Sequence, residues 1–214
     1  MSSNLKQRLF TSIFLFFLII LIFKFYIFLL YSLILAGILS VLEFFNLIKK
    51  IFKNSLYVFF SNIFFIFYIF SFCLLFFLLS AQNDFKLLIF IILFSCISSD
   101  IGGFVFGKIF KGPKLTKISP NKTFSGAAGS LLMSSFTFSL LINYFYKVLS
   151  VEFIFIGFLI SIGCQIGDLF FSYLKRKAKL KDTGNFLPGH GGVLDRLDGI
   201  FLGLPAGLIF INII

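Results

Sequence analysis

Apolar residues run along this chain in long blocks separated by short polar stretches, without the regular polar positions of a half-buried helix or strand. A run of about 20 apolar residues crosses a bilayer as a helix, because a helix satisfies its own backbone hydrogen bonds. Such runs occupy 9–23, 25–45, 56–80, 86–107, 127–146, 153–174 and 199–214. The first is short and bounded by Arg8 and Lys24, and the last is also short. The pattern predicts an all-α fold, a polytopic integral membrane helical bundle of about seven transmembrane helices.

Composition strengthens this reading. Of 214 residues, 59% are apolar, 37 are Phe, and only 13% are charged. That is about half the charged share of a soluble domain. Water cannot be the main solvent of such a chain, so lipid is. The opening stretch, Met1 to Arg8, is polar and basic, and the apolar run after it lacks a small-residue cleavage site. It reads as a first anchor rather than a removable signal. Cys73, Cys96 and Cys164 lie in apolar segments without a CxxC pair, as membrane-buried thiols.

The charges then orient the helices. With the N-terminus in the cytoplasm, 16 of the 19 Lys and Arg residues face inside, and only Lys24, Lys86 and Lys147 fall outside. This agrees with the positive-inside rule; the expected location is the cell inner (cytoplasmic) membrane, multi-pass, with the N-terminus in the cytoplasm. The polar loops 108–126 and 175–198 fall on the same cytoplasmic face, where they can meet. The net charge of +11 sits in short loops and in no nucleic-acid module, so nucleic acid is not an expected partner. Anionic membrane lipids and phosphate-bearing substrates are. Residues 1–85 are expected to act as N-terminal membrane anchor helices, and 86–214 as a catalytic membrane domain with cytoplasmic polar loops. Glu43, the one acid within a span of the first part, is expected to pair with Lys49 or Lys50.

Acids in or beside a span are costly and tend to be functional. Asp100 follows Ser95, Ser98 and Ser99 and shares a helix face with Gly103 and Gly107. It reads as facing a cytoplasmic cavity; the alternative is a packing helix with one internally bonded Asp. Gly102, Gly107 and Lys108 imitate a P-loop, but Ile109 replaces the hydroxyl residue and no soluble strand precedes them. Between Lys114 and Gly126, lysines, hydroxyls and a Pro/Asn turn precede an apolar helix. They can contact phosphate oxygens or serve only as positive-inside lysines. Asp168 lies near the cytoplasmic end of its span and is followed by Asp182, Asp195 and Asp198. A helix starting at Asp195 would put Asp195 and Asp198 on one face. With Asp168 they could gather around a hard divalent cation such as Mg²⁺, which takes oxygen ligands and shares substrate phosphates. His190, the only histidine, sits between Gly189 and Gly191–Gly192 in a turn after Pro188. There it could bond a phosphate or orient an acid, with an open glycine backbone close by. No His/Cys cluster suggests zinc.

The stretch Ser172–Asp198, SYLKRKAKLKDTGNFLPGHGGVLDRLD, resembles the signature of the phosphatidate cytidylyltransferase (CDP-diglyceride synthase) family. Gln165–Leu169 is similar to that family's Q-x-G-D-L segment, Ser119–Gly126 to S-P-K-K-T-W-E-G, and Ser99–Asp100 with Gly107 to S-D-x-x-A-Y-x-x-G. The likeness covers about residues 95 to 200. Phe124, Ser125, Phe171 and Gly103–Phe104 depart from the usual Trp, Glu, Glu and Ala-Tyr, and the N-terminal half is shorter than usual.

The resemblance implies an all-helical membrane enzyme, a homodimer. It would convert phosphatidate and CTP to CDP-diacylglycerol and pyrophosphate with Mg²⁺ and a possible second cation. It implies Asp168, Asp195 and Asp198 as cation ligands, with Asp100 and Asp182 nearby. Lys122, Lys175, Arg176 and Arg196 would meet phosphates or balance those acids. Ser119, Lys181, Gly189, Gly191 and Gly192 would complete the substrate contacts, and His190 would stand among the catalytic residues. Competing expectations are a CTP-dependent polyprenol kinase, which would transfer the γ-phosphoryl group, and a membrane transporter, which should show paired broken-helix repeats.

Overall fold

The computed structural model describes residues 17–116, 119, 122–186 and 191–211. The described residues form helices and loops. Residues 17–24 are helical. The helices that follow are α1 (Tyr26–Ile51), α2 (Ser55–Ser80), α3 (Asn83–Phe110), α4 (Phe124–Tyr146), α5 (Val151–Lys177), α6 (Leu194–Leu197) and α7 (Ile200–Ile211).

Local chemistry explains several boundaries. Asn54 caps α2 by accepting the Leu56 N–H at 3.0 Å. Thr123 caps α4, its Oγ1 accepting the Gly126 N–H at 3.1 Å. At the other end of α4, Lys147 turns the chain with φ 58°, and its N–H closes on the Asn143 carbonyl.

Helices α1 to α5 are each long and apolar enough to cross a membrane. They correspond to the second through sixth expected spans. The expected first span falls largely on residues outside the described set. The expected last span is represented by α7, which has 12 residues and contains Pro205. Five spans are supported among the described residues. Their outward surface is hydrocarbon: on α2, Phe60, Phe64 and Phe67 are 64%, 74% and 70% exposed. Water would oppose that exposure, and lipid does not.

The chain divides into two compact units. One comprises Met1–Gln82 with Leu174–Leu197, the other Asn83–Tyr173 with Asp198–Ile214. In the first, α1 and α2 pack through a stacked Phe44–Phe65 pair with centroids 3.8 Å apart. Tyr26 adds a hydrogen bond to the Phe77 carbonyl at 3.0 Å. In the second, small and hydroxyl residues let helices approach closely. A Cβ on Gly102 would lie 2.5 Å from the Gly129 carbonyl oxygen. Hydroxyls tie the same helices together: Ser98 to Thr137 at 2.6 Å and Ser99 to Ser161 at 2.8 Å. Ser134 donates to the Gly157 carbonyl at 2.8 Å.

Candidate active site

The second unit contains a cavity of about 270 Å³ between α3, α4, α5 and the loop before α4. Its charged lining is Asp100 from α3, Lys122 from the loop and Asp168 from α5, with Ser130 and Gln165 beside them. The loop is folded back on itself by backbone bonds. Leu115 N–H donates to the Lys122 carbonyl at 2.8 Å, Lys122 N–H to Ser119 at 3.0 Å, and Phe124 N–H to Pro113 at 3.0 Å. Ser119 is fixed in turn by its N–H on Thr116 Oγ1 at 3.3 Å. Lys122 is thereby held immediately before the capped start of α4. Its ammonium donates to Asp168 Oδ2 at 3.0 Å, with both side chains partly open to solvent.

Gln165 braces the same wall, its Nε2 donating to the Ala127 carbonyl at 3.3 Å and Ser161 Oγ at 3.2 Å. Asp168 also lies close to the chain that follows Asp198. A Cβ on Gly199 would stand 2.9 Å from Asp168 Oδ1, and one on Gly167 would strike the Asp198 carbonyl oxygen. Asp198 Oδ1 accepts the Gly199 N–H at 3.0 Å. The structure therefore groups Asp168 with the Asp198–Gly199 backbone, and Asp168 with Asp100 and Lys122 around one cavity.

The first unit carries the other polar cluster. Lys175 Nζ donates to Asp195 Oδ1 at 2.7 Å. Asp195 Oδ2 accepts the Thr183 N–H at 2.8 Å and the Gly192 N–H at 3.1 Å. Burial pushes the Asp195 carboxyl upward, but the bonds from Lys175, Thr183 and Gly192 outweigh it and hold the group below the usual carboxylate range. Arg176 is exposed and donates to the Leu180 carbonyl at 3.2 Å. Lys181, Asp182 and Arg196 are exposed, and Gly191 takes a left-handed φ of 84°. Gly189 and His190, with the rest of the 187–190 turn, lie outside the described residues.

Two expectations change. Glu43 is buried, and its partners are not Lys49 or Lys50. Its Oε2 accepts Thr183 Oγ1 at 2.7 Å and Leu194 N–H at 2.9 Å, and its Oε1 accepts Val193 N–H at 3.0 Å. Three neutral donors outcompete lysines that reach water freely at the end of α1. Nor do Asp195 and Asp198 share a helix face, because α6 is one turn long and ends at Leu197.

Glu43 and Thr183 are the site-adjacent residues that reading for chemistry passes over. The cost of an acid inside a span was the available signal for Glu43.

Among the described residues, no three His, Cys, Asp or Glu side chains gather closely enough to enclose a cation unaided. Mg²⁺ does not require that, since it commonly takes one or two carboxylates and fills its shell with water and substrate phosphate. Asp100 and Asp168, hard oxygen donors on one cavity, fit that requirement. Lys122 adds a compact charge suited to phosphate oxygen.

The model of the cytidylyltransferase family matches residues 1–214. The chain belongs to the cytidylyltransferase family. Among similar proteins, the phosphatidate cytidylyltransferase of Rickettsia felis is 42% identical over 134 residues, 58% of this chain and 59% of that one. That of Rickettsia bellii is 43% identical over 132 residues, 57% of each chain. That of Helicobacter pylori is 43% identical over 125 residues, 55% of this chain and 45% of its own. The chain thus spans under two thirds of these relatives. This cytidylyltransferase-family chain brings Asp100, Lys122 and Asp168 to one cavity, with its departures at Phe124 and Phe171.

Proposed function

We propose that this chain transfers the cytidylyl group of CTP to phosphatidate, giving CDP-diacylglycerol and pyrophosphate for phospholipid synthesis. The observation that carries the reading is the cavity where Lys122 faces Asp168 with Asp100 on the same lining. The named activity of the relatives supports it.

An oxygen of the phosphatidate phosphomonoester forms the new bond to the α-phosphorus of CTP. The bond from that phosphorus to the oxygen bridging toward the β-phosphorus breaks, and pyrophosphate leaves with that oxygen. The attacking phosphate is already anionic near neutral pH, so no protein nucleophile is needed. The protein's task is to hold two anions together and offset charge on the leaving group. Lys122, Lys175, Arg176, Lys181 and Arg196 contact phosphate oxygens, aided by Ser119, His190 and the backbone of Gly189, Gly191 and Gly192. Asp168 and Asp100 are assigned to hold Mg²⁺ on the cavity they share, with Asp198 as a further proposed ligand. When bound, Mg²⁺ neutralises charge collecting on the departing pyrophosphate.

The setting belongs to the same proposal. Seven spans with a cytoplasmic N-terminus in the inner membrane would bring soluble CTP and a leaflet-bound lipid to one boundary, beside anionic lipids. A homodimer is the proposed assembly, and the segment from residue 86 onward is the proposed catalytic part.

The test uses purified protein with phosphatidate, Mg²⁺ and CTP labelled at either the α- or the γ-phosphorus. Label entering lipid only from the α-position, with pyrophosphate released, is the expected result. Label entering a lipid acceptor from the γ-position would make the chain a CTP-dependent kinase. No lipid labelling from folded protein would overturn the assignment.

A further inference from the structure

Glu43 lies on α1, far in sequence from every residue assigned to the chemistry. Its carboxylate nevertheless takes donors from both ends of one loop: the Thr183 hydroxyl on one side, the Val193 and Leu194 N–H groups on the other. The second carboxylate at that loop base is Asp195, which takes the Thr183 and Gly192 N–H groups. Thr183 therefore bridges the two acids, giving its hydroxyl to Glu43 and its N–H to Asp195. Gly192 is needed for this approach, since a Cβ there would collide with both Glu43 Oε2 and Thr183 Oγ1.

We infer that Glu43 is a positioning residue for the reaction, acting through Thr183 and Asp195 on Lys175. This inference rests on the proposed cytidylyl transfer. A buried carboxylate needs donors, and those of Glu43 all come from the base of this one loop. Here its oxygens are turned to three donors and its negative charge is spent on the loop base. That leaves Asp195 Oδ1 directed at Lys175 and fixes where the Lys175 ammonium can stand. On this reading α1 supplies a positioning residue in Glu43.

The experiment compares wild type with Glu43→Gln in detergent micelles, by amide hydrogen exchange and by steady-state kinetics. The amide of glutamine cannot accept on both of its heads, so at least one donor loses its partner. Exchange at Val193 and Leu194 should quicken about tenfold, while residues 95–107 of α3 exchange as before. KM for CTP should rise about fivefold, which a smaller fraction of folded enzyme would not produce. Wild-type exchange at Val193 and Leu194, or an unchanged KM with only kcat reduced, would overturn the inference. If Glu43→Gln fails to fold, Thr183→Val carries the same test, since it removes one donor at nearly constant volume; an unchanged KM there is equally fatal. If the wild-type protein forms no CDP-diacylglycerol, the functional assignment fails. Exchange and equilibrium CTP binding then decide the role of Glu43 separately.

Discussion

The Lys175 ammonium lies 2.7 Å from Asp195 Oδ1, and the two side chains are only 11% and 7% exposed. Removing one member of so enclosed a pair leaves the other charge uncompensated. Lys175→Met should therefore cost roughly 3 kcal/mol of stability. Lys175→Arg, which keeps the charge, should cost much less. Thermal unfolding in micelles, with residual turnover measured below the transition, checks both. A melting temperature unchanged by Lys175→Met would mean that the pair carries no structural energy.

The depressed Asp195 carboxyl gives a signed pH effect. Its unfolded value is about 3.9, and its folded value lies lower. The stabilisation it supplies is complete above the unfolded value and is lost as pH falls through the folded one. Wild type should protect the Thr183 and Gly192 amides at pH 5 and lose that protection progressively below about pH 4. Asp195→Asn should begin with weaker protection and lack this acid-dependent step. Amide exchange of peptides covering Thr183 and Gly192, corrected for intrinsic rates, reads the difference.

The membrane helices were legible because each needs only a long apolar run, and α1 to α5 supply one. Asp168 stood out because an acid inside a span is costly, whereas composition alone left Lys122 balanced between phosphate contact and a plain positive-inside lysine. Other features depended on distance that a linear reading does not contain. The bond from Thr183 to Glu43 joins positions 140 residues apart. Three-residue spacing placed Asp195 and Asp198 on one face only if the helix continued. It stops at Leu197, where Asp198 instead accepts the following Gly199 N–H. Lys49 and Lys50, the near neighbours of Glu43 in sequence, have water available and need no buried partner.

The Lys122–Asp168 pair should behave differently from Lys175–Asp195. Its side chains are 31% and 23% exposed, so solvent screens it and its share of stability is under about 1 kcal/mol. Lys122→Ala and Asp168→Asn should each melt near the wild-type temperature yet lose about a hundredfold in turnover. Loss of both stability and turnover would instead make the pair part of the scaffold. Wild-type turnover in either correctly inserted variant would remove it from the site.

Two glycines, one against the Asp168 side chain and one against the Asp198 backbone, separate geometry from folding. A Cβ on Gly199 would press on Asp168 Oδ1 at 2.9 Å, the free end of a side chain that can swing aside. Gly199→Ala should therefore keep the fold while moving the carboxylate, lowering turnover about tenfold with little change in melting temperature. A Cβ on Gly167 would meet the Asp198 carbonyl, which is backbone and cannot swing. Gly167→Ala should destabilise by roughly 1–3 kcal/mol as the helix and the chain after α6 are forced apart. Paired melts and turnover assays distinguish the two. If Gly199→Ala retained full turnover, the placement of Asp168 Oδ1 would not matter to the reaction, and Asp100 and Lys122 would have to carry the cavity's chemistry.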